Sequence, residues 1–166
     1  MNISPVVKEA WRINDEMNRV LLEHLKLNPE LLYLQTPDKN WSVAGYLAHL
    51  AGSKKWWGTH LHESEVTALA DLYQTQGESF IIEKNIEKIQ EIFDQTSQVI
   101  LGTAEKAPNK GRLPYASLDL YLMHMIVHDA HHRGQIFLTL RTAGYAPPDE
   151  DTFWGEWWPD QTAIGS

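Results

Sequence analysis

The chain has 166 residues and a net charge of -8, from 22 acidic and 14 basic side chains, and this length fits a single domain over residues 1–166. The basic residues are scattered along the sequence, so we expect binding neither to nucleic acid nor to an anionic membrane surface. The lack of cysteine excludes disulfides, thiolate metal sites and a cysteine nucleophile, so any thiol chemistry must use a thiol that a substrate brings.

The first half of the chain predicts two helices. Residues 5–26 repeat apolar side chains at steps of three and four, which is typical of an amphipathic helix, and Pro5 lies near its first turn. The apolar positions of this helix are Val6, Ala10, Ile13, Met17, Val20, Leu21 and Leu25. A second helix is predicted over residues 41–62, with Asn40 or Ser42 as its N-cap.

The second half of the chain predicts two further helices after an ambiguous segment. Residues 63–78 could hold a short helix within a long connection, and no convincing strand pair is found. A third helix is predicted from about residue 79 to 106, and residues 107–117 are predicted as loop from their proline, glycine and asparagine content. Ser117 can cap a fourth helix, which Gly144 ends.

Four helices with at least one long crossover favour an all-α bundle over about residues 5–144. Residues 145–166 then form a short acidic tail that is rich in tryptophan. No apolar run has the length of a signal peptide behind a basic start, and the apolar stretches elsewhere are interrupted by polar residues. A cytoplasmic protein is therefore expected.

The fourth helix carries a cluster of histidines. His128 and His132 lie about 40° apart on one helix face and about 6 Å apart along the axis, so both can bind one metal ion. His124 and His131 fall within the same broad arc, so spacing alone leaves several candidate pairs. Burying uncoordinated imidazoles would require a hydrogen-bond partner for each. Metal coordination would meet this requirement. The alternative interpretation is that these histidines are partly exposed or each make a single hydrogen bond.

The second helix offers a third imidazole. Catalytic metal sites usually have three protein ligands and an open position, and two residues of one helix leave such a site incomplete. His49 lies among apolar residues in the middle of the second helix and shares its face with Gly45 and Gly52, which would let a neighbour approach closely. On its own, a histidine there is more often a hydrogen-bonded core residue than a ligand.

The motif "HDAHHRGQI" at residues 128–136, with "WSVAGYLAHLAGSKKWW" at residues 41–57, resembles the DinB/YfiT-like superfamily of metalloenzymes. The resemblance implies that His49, His128 and His132 bind a divalent metal ion, zinc or nickel. It also implies a four-helix bundle in up-down-down-up order, with the long crossover between helices two and three, and a homodimer. Under this interpretation the other two histidines of the fourth helix are neighbours of the site.

Several other polar residues are weaker candidates for the site. Gln135 lies on the histidine arc and could bond a ligand imidazole or bound water. Arg133 projects away from that arc, which favours a role at the helix end or at an interface. Tyr46 is one turn before His49 and is a weak catalytic candidate. Asp15 or Asn18 could point inward from the first helix, although a solvent-facing position is favoured for Asp15.

The leading functional hypothesis is a metal-dependent enzyme that transfers a low-molecular-weight thiol to a small electrophile. The resemblance supports it, because characterised members of the superfamily include thiol S-transferases. The alternatives are a metal-dependent hydrolase, and a non-enzymatic stress-response or dimerisation module with a structural or vestigial metal site. In the tail, Trp154, Trp157 and Trp158 are expected to pack on the bundle or on a dimer mate, and a lid over the metal pocket is the other interpretation.

Overall fold

The computed structural model describes residues 3–37, 41–61, 63–76, 79–104 and 114–155, and this part of the chain is mostly helical. A short 3-10 helix, Pro29–Tyr33, follows the first α-helix. The remaining elements, in chain order, are α1 (Pro5–Leu27), α2 (Val43–Gly58), α3 (Glu63–Thr67), β1 (Tyr73–Gln76), β2 (Ser79–Ile82), α4 (Ile86–Ala104), α5 (Leu118–Thr142) and α6 (Glu150–Trp154). The four long helices correspond to the four predicted ones, and none of the described helices is long and apolar enough to cross a membrane.

Serine side chains begin three of the long helices. Ser4 accepts a hydrogen bond from the N–H of residue 7 at the start of α1, Ser42 accepts one at the start of α2 and Ser117 accepts one at the start of α5. Each bond satisfies a backbone donor that the first helical turn leaves unpaired. The predictions for Ser42 and Ser117 are confirmed, whereas Asn40 lies outside the described residues. Gly144 follows α5 with a positive φ of 85°, as a helix end requires.

The prediction of no strand pair was wrong. Strands β1 and β2 pair in antiparallel orientation, with Tyr73 opposite Ile82, and the third long helix begins at Ile86 instead of residue 79. Ile82 packs against the core whereas Ile81 is 48% exposed, which is the two-residue alternation of a strand. The short helix considered for residues 63–78 is present as α3.

Two apolar clusters form the core, and each takes residues from the long helices. One lies around the C-terminal half of α1, the first part of α2, the first part of α4 and the end of α5, and it includes Leu21, Leu47, Ile89 and Leu140. The other lies around the opposite ends of the same helices and includes Trp11, Leu61, Ile100, Tyr121 and Met125. Along each of these helices a few polar residues come between the two clusters, and these residues are buried.

The long helices pack on one another in a pattern that brings α2 and α5 together. Helix α1 contacts α4 and α5, and α2 contacts α4 and α5. Helix α6 packs on α1, and its Phe153 is buried with its ring 5.0 Å from that of Phe137. Of the three tryptophans predicted to pack, Trp154 is 38% exposed and its ring lies 5.5 Å from that of Phe153. Trp157 and Trp158 lie outside the described residues, so the packing of the tryptophans stays a prediction. The up-down-down-up order and the single-domain organisation stay predictions.

Candidate metal centre

Three histidines meet between α2 and α5. One nitrogen each from His49, His128 and His132 can be chosen so that these atoms all lie within 4.8 Å of one another. The Nε2 atoms of His128 and His132 are 3.2 Å apart, and the His49 ring centre is 4.6 Å from that of His132. The helical period brings the α5 pair together, and the packing of α2 on α5 adds the third imidazole. The structure therefore brings together the three residues that the resemblance selected, in an arrangement that could hold a metal ion.

Gln135 fixes the orientation of one of these imidazoles. Its Oε1 lies 2.5 Å from Nδ1 of His132. An amide oxygen only accepts hydrogen bonds, so His132 donates from Nδ1 and keeps the lone pair on Nε2, which faces His128. A partner of this kind commonly holds metal-binding histidines in place. The hydrogen bond between Gln135 and His132 is the contact expected from the position of Gln135 on the histidine arc. A catalytic role of Gln135 stays a prediction.

Burial keeps the three imidazoles neutral. Burial and, to a smaller extent, the neighbouring His132 lower the pKa of His128 to about 4. Burial also lowers the pKa of His49 and that of His132, although the hydrogen bond that His132 donates to Gln135 opposes the effect on His132. Near pH 7 all three rings are therefore uncharged, and an uncharged ring has the lone pair that a metal ligand needs.

The metal-free protein should lose stability in weak acid. In the unfolded chain a histidine takes up a proton below a pKa of about 6.5, whereas folded His128 does so only near 4. The unfolded state therefore binds more protons as the pH falls through this window, and the free energy of unfolding decreases between about pH 6.5 and pH 4. Urea unfolding of the chelator-treated protein at pH 7.5 and pH 5 measures the change.

The control for this measurement is a variant that lacks the buried imidazole. In His128→Asn the loss of stability between pH 7.5 and pH 5 should be smaller than in the wild-type protein, because one of the three histidines with a lowered pKa is gone. A wild-type protein that is equally stable at both pH values would contradict the assignment of three neutral, half-buried rings.

Aromatic rings surround the three histidines. On one side the ring of Tyr46 lies 5.4 Å from that of His132 and stacks on Trp41 at 5.5 Å. On the other side His124 lies between the rings of Trp57 and Tyr115, at 4.9 and 5.4 Å. His124 is thus held by aromatic contacts outside the group of three.

Two other sequence predictions concern this part of the molecule. His131 is exposed on α5 and also lies outside the group of three. Gly52 allows the close approach expected of it, because a Cβ there would lie 2.8 Å from the Tyr73 ring of β1. A catalytic role of Tyr46 stays a prediction.

The interpretation of Arg133 and Asp15 was wrong. Arg133 is buried, and it donates from Nη1 to the side-chain oxygens of Asn14 at 2.6 Å and Asn18 at 2.7 Å. Asp15 is buried too, and it accepts hydrogen bonds from Ser97 and from a lysine of α2. Both residues belong to the polar group between the two apolar clusters, so neither has the helix-end or solvent-facing position predicted for it.

Lys54 is the centre of that polar group. Its Nζ lies 2.7 Å from Oδ1 of Asp15 on α1 and 3.0 Å from Oδ2 of Asp129 on α5. The amide groups of Asn14 and Asn18 also donate to Oδ2 of Asp129, at 2.8 and 2.9 Å. We call Asn14, Asp15, Asn18, Lys54, Ser97, Asp129 and Arg133 the polar layer. It ties α5 to α1 and α2 beside the histidines, since Asp129 directly follows His128.

A comparison with known protein families identifies a relationship over nearly the whole chain. A family model described as the DinB family matches residues 4–163. The matched range contains the three clustered histidines, Gln135 and the whole polar layer. No curated protein and no solved structure matches the chain.

Proposed function

We propose a function for this chain, which belongs to the DinB family. In this proposal His49, His128 and His132 hold one divalent metal ion, and the protein uses it to transfer a low-molecular-weight thiol to a small electrophile. The observation that carries the proposal is the grouping of one nitrogen from each histidine within 4.8 Å of the others. Zinc or nickel is the ion that the family resemblance implies, and both suit neutral imidazole ligands.

The donor set fits such an ion. Two nitrogens that each lie about 2.0–2.1 Å from a tetrahedral zinc ion are about 3.4 Å apart, and the Nε2 atoms of His128 and His132 are 3.2 Å apart. The rings are neutral near pH 7, and Gln135 holds the proton of His132 on the nitrogen that faces away from His128. Three protein ligands leave at least one position for a substrate, which is the usual design of catalytic sites.

A divalent ion held by His49, His128 and His132 would lower the pKa of a thiol or a water molecule at its open position and so make either one a nucleophile near neutral pH. In thiol transfer the sulfur forms a bond to the electrophilic carbon while the bond from that carbon to its leaving atom breaks, and the leaving atom keeps the electron pair. The thiol proton passes to solvent with an aryl chloride, and the opened ring oxygen takes up a proton with an epoxide. The chain has no cysteine, so the sulfur comes from a second substrate. Tyr46 borders His132 and is our candidate for binding or proton exchange at the reacting groups.

An assay with and without a thiol tests this proposal. The metal-loaded protein should consume an aryl chloride or an epoxide faster than buffer does when cysteine, glutathione or bacillithiol is present, and His128→Ala should abolish the difference. Hydrolysis of an ester at equal rates with and without thiol would favour the metal-dependent hydrolase instead. No turnover in either assay, with metal bound, would favour a non-enzymatic stress-response or dimerisation module.

Homodimer formation is also a proposal that the family resemblance supports. On α5 the exposed apolar side chains form one stripe along the helix, because they recur at steps of three, four, seven and eleven residues. These residues are Leu120, Met123, Val127 and Leu138. A second copy of the chain could cover the stripe. The up-down-down-up bundle and the cytoplasmic location are further parts of the proposal.

A further inference from the structure

An open cavity of about 220 Å³ lies on the His132 side of the candidate metal centre. It is lined by Thr36, Pro37, Tyr46, Gln135, Leu138 and Thr139. Two of these residues also touch the candidate metal centre. Gln135 bonds His132, and the Tyr46 ring lies 5.4 Å from the His132 ring. A molecule in the cavity would therefore lie one side chain away from the metal-binding imidazole.

The described residues that line the cavity are all uncharged. The hydroxyl of Thr139 already donates to the backbone carbonyl of Gln135 at 2.8 Å, so it can offer a ligand only its oxygen lone pairs. Tyr46, Pro37 and Leu138 supply apolar surface. A charged group that binds against these side chains gives up part of its hydration and gains no opposite charge from them, which costs free energy.

The size and the rigidity of the cavity indicate what it could hold. Ligand sites usually have volumes of about 300–1,000 Å³, so a cavity of about 220 Å³ suits a single substituted ring better than a larger molecule. Tyr46 is buried and stacks on Trp41 with an interplanar angle of 17°. This wall is therefore held in place before a ligand arrives.

We infer that this cavity is a binding subsite for an uncharged, ring-sized group of the electrophilic substrate. Its role in a reaction rests on the proposed function, because only a reactive metal centre beside the cavity would make the bound molecule a substrate. The binding itself depends on the cavity alone. The two ideas can therefore fail separately.

Three probes with the same ring test the chemical class. The full-length protein is treated with a chelator, so that no carboxylate can bind a metal ion, and is then titrated with benzamide, benzoate and benzylamine. Binding is followed by NMR at the backbone amides of residues 138 and 139. Benzamide should bind at least about ten times more tightly than either charged probe, which corresponds to about 1.4 kcal/mol. Equal binding of benzoate or benzylamine, or no saturable shift at these amides, would overturn the inference.

Two leucines of α5 provide a matched pair of variants. Leu138 lines the cavity, whereas Leu120 lies five helical turns earlier on the same face, and each is 54% exposed. Leu138→Ala should weaken benzamide binding by about fivefold, because apolar contact area is lost, and Leu120→Ala should leave it unchanged. Equal effects of the two substitutions would count against the subsite.

A third variant separates the subsite from the proposed function. His128→Ala should still bind benzamide with the wild-type affinity, since this side chain does not line the cavity. If the wild-type protein bound benzamide but no metal ion, the proposed function would fail and the subsite would stand. If it bound metal and transferred thiols but benzamide failed to bind, the subsite alone would fail.

Discussion

Replacing His128 with alanine is expected to abolish tight binding of a divalent metal ion. His128 Nε2 lies 3.2 Å from His132 Nε2 and within 4.8 Å of the His49 donor, so its loss leaves two ligands. Removing a residue that only supports a ligand typically lowers metal affinity by about 10–100-fold, and removing a ligand itself should lower it by more than about 100-fold. Elemental analysis of tag-free protein and competition with a chromogenic chelator measure the metal content and the affinity.

His131→Ala is the matched control for this prediction. His131 lies on the same helix, next to His132, but its side chain is exposed and it does not belong to the group of three. This variant should bind one metal ion with the wild-type affinity. If His128→Ala kept its metal, or if His131→Ala lost it to the same extent, the assignment of the three ligands would be refuted.

The α5 half of the candidate centre could be predicted from the sequence because a helix has a fixed period. An i, i+4 pair of histidines on one helix must lie close together, and the structure places His128 and His132 accordingly. The helical period alone could not choose between this pair and the pairs that include His124 or His131. The distance from His49 to α5 depends on how two helices pack, and the family motif supplied that third residue.

The inward position considered for Asn18 is confirmed, but most of the polar layer could not be predicted because apolar periodicity treats polar residues as exposed ones. On α1 the pattern selected Val6, which is 77% exposed, and passed over Trp11, which is fully buried. The true buried face of α1 contains Asn14, Asp15 and Asn18, and their partners come from other helices. The burial of Asp15 can be recognised only once the packing of the helices places Lys54 beside it, and the sequence alone does not give that packing.

The β-hairpin was missed for a local reason. Ile82 and Ile86 are four residues apart, which fits the step of a helix as well as the end of a strand followed by a helix start. Asn85 marks the true boundary, since its side-chain oxygen accepts a hydrogen bond from the N–H of Lys88, as an N-cap does. Asparagine is as common an N-cap as serine, so the residue type at position 85 was a signal for this helix start.

The polar layer balances its own charges in the interior. Its two carboxylates, Asp15 and Asp129, are matched by Lys54 and Arg133, and all four side chains are buried. Lys54 bonds both carboxylates, and its ammonium group also lies 3.9 Å from the centre of the Phe93 ring, where a cation is favoured. Removing one charge from such a group leaves the others without compensation, so the layer makes the packing of four helices sensitive to a single residue.

Lys54→Met should therefore lower the free energy of unfolding by about 3–5 kcal/mol, the usual cost of breaking a buried ion pair by removing one partner. Lys88 provides the control: it pairs with Glu83 at 2.8 Å, but its side chain is 40% exposed, so Lys88→Met should cost at most about 1 kcal/mol. Urea unfolding of the metal-free variants at pH 7.5 compares the two. Equal stabilities would mean that the buried charges contribute no more than a surface pair. A large loss in Lys54→Met alone would show that the layer holds α2 against α1 and α5, and thereby holds His49 opposite His128 and His132.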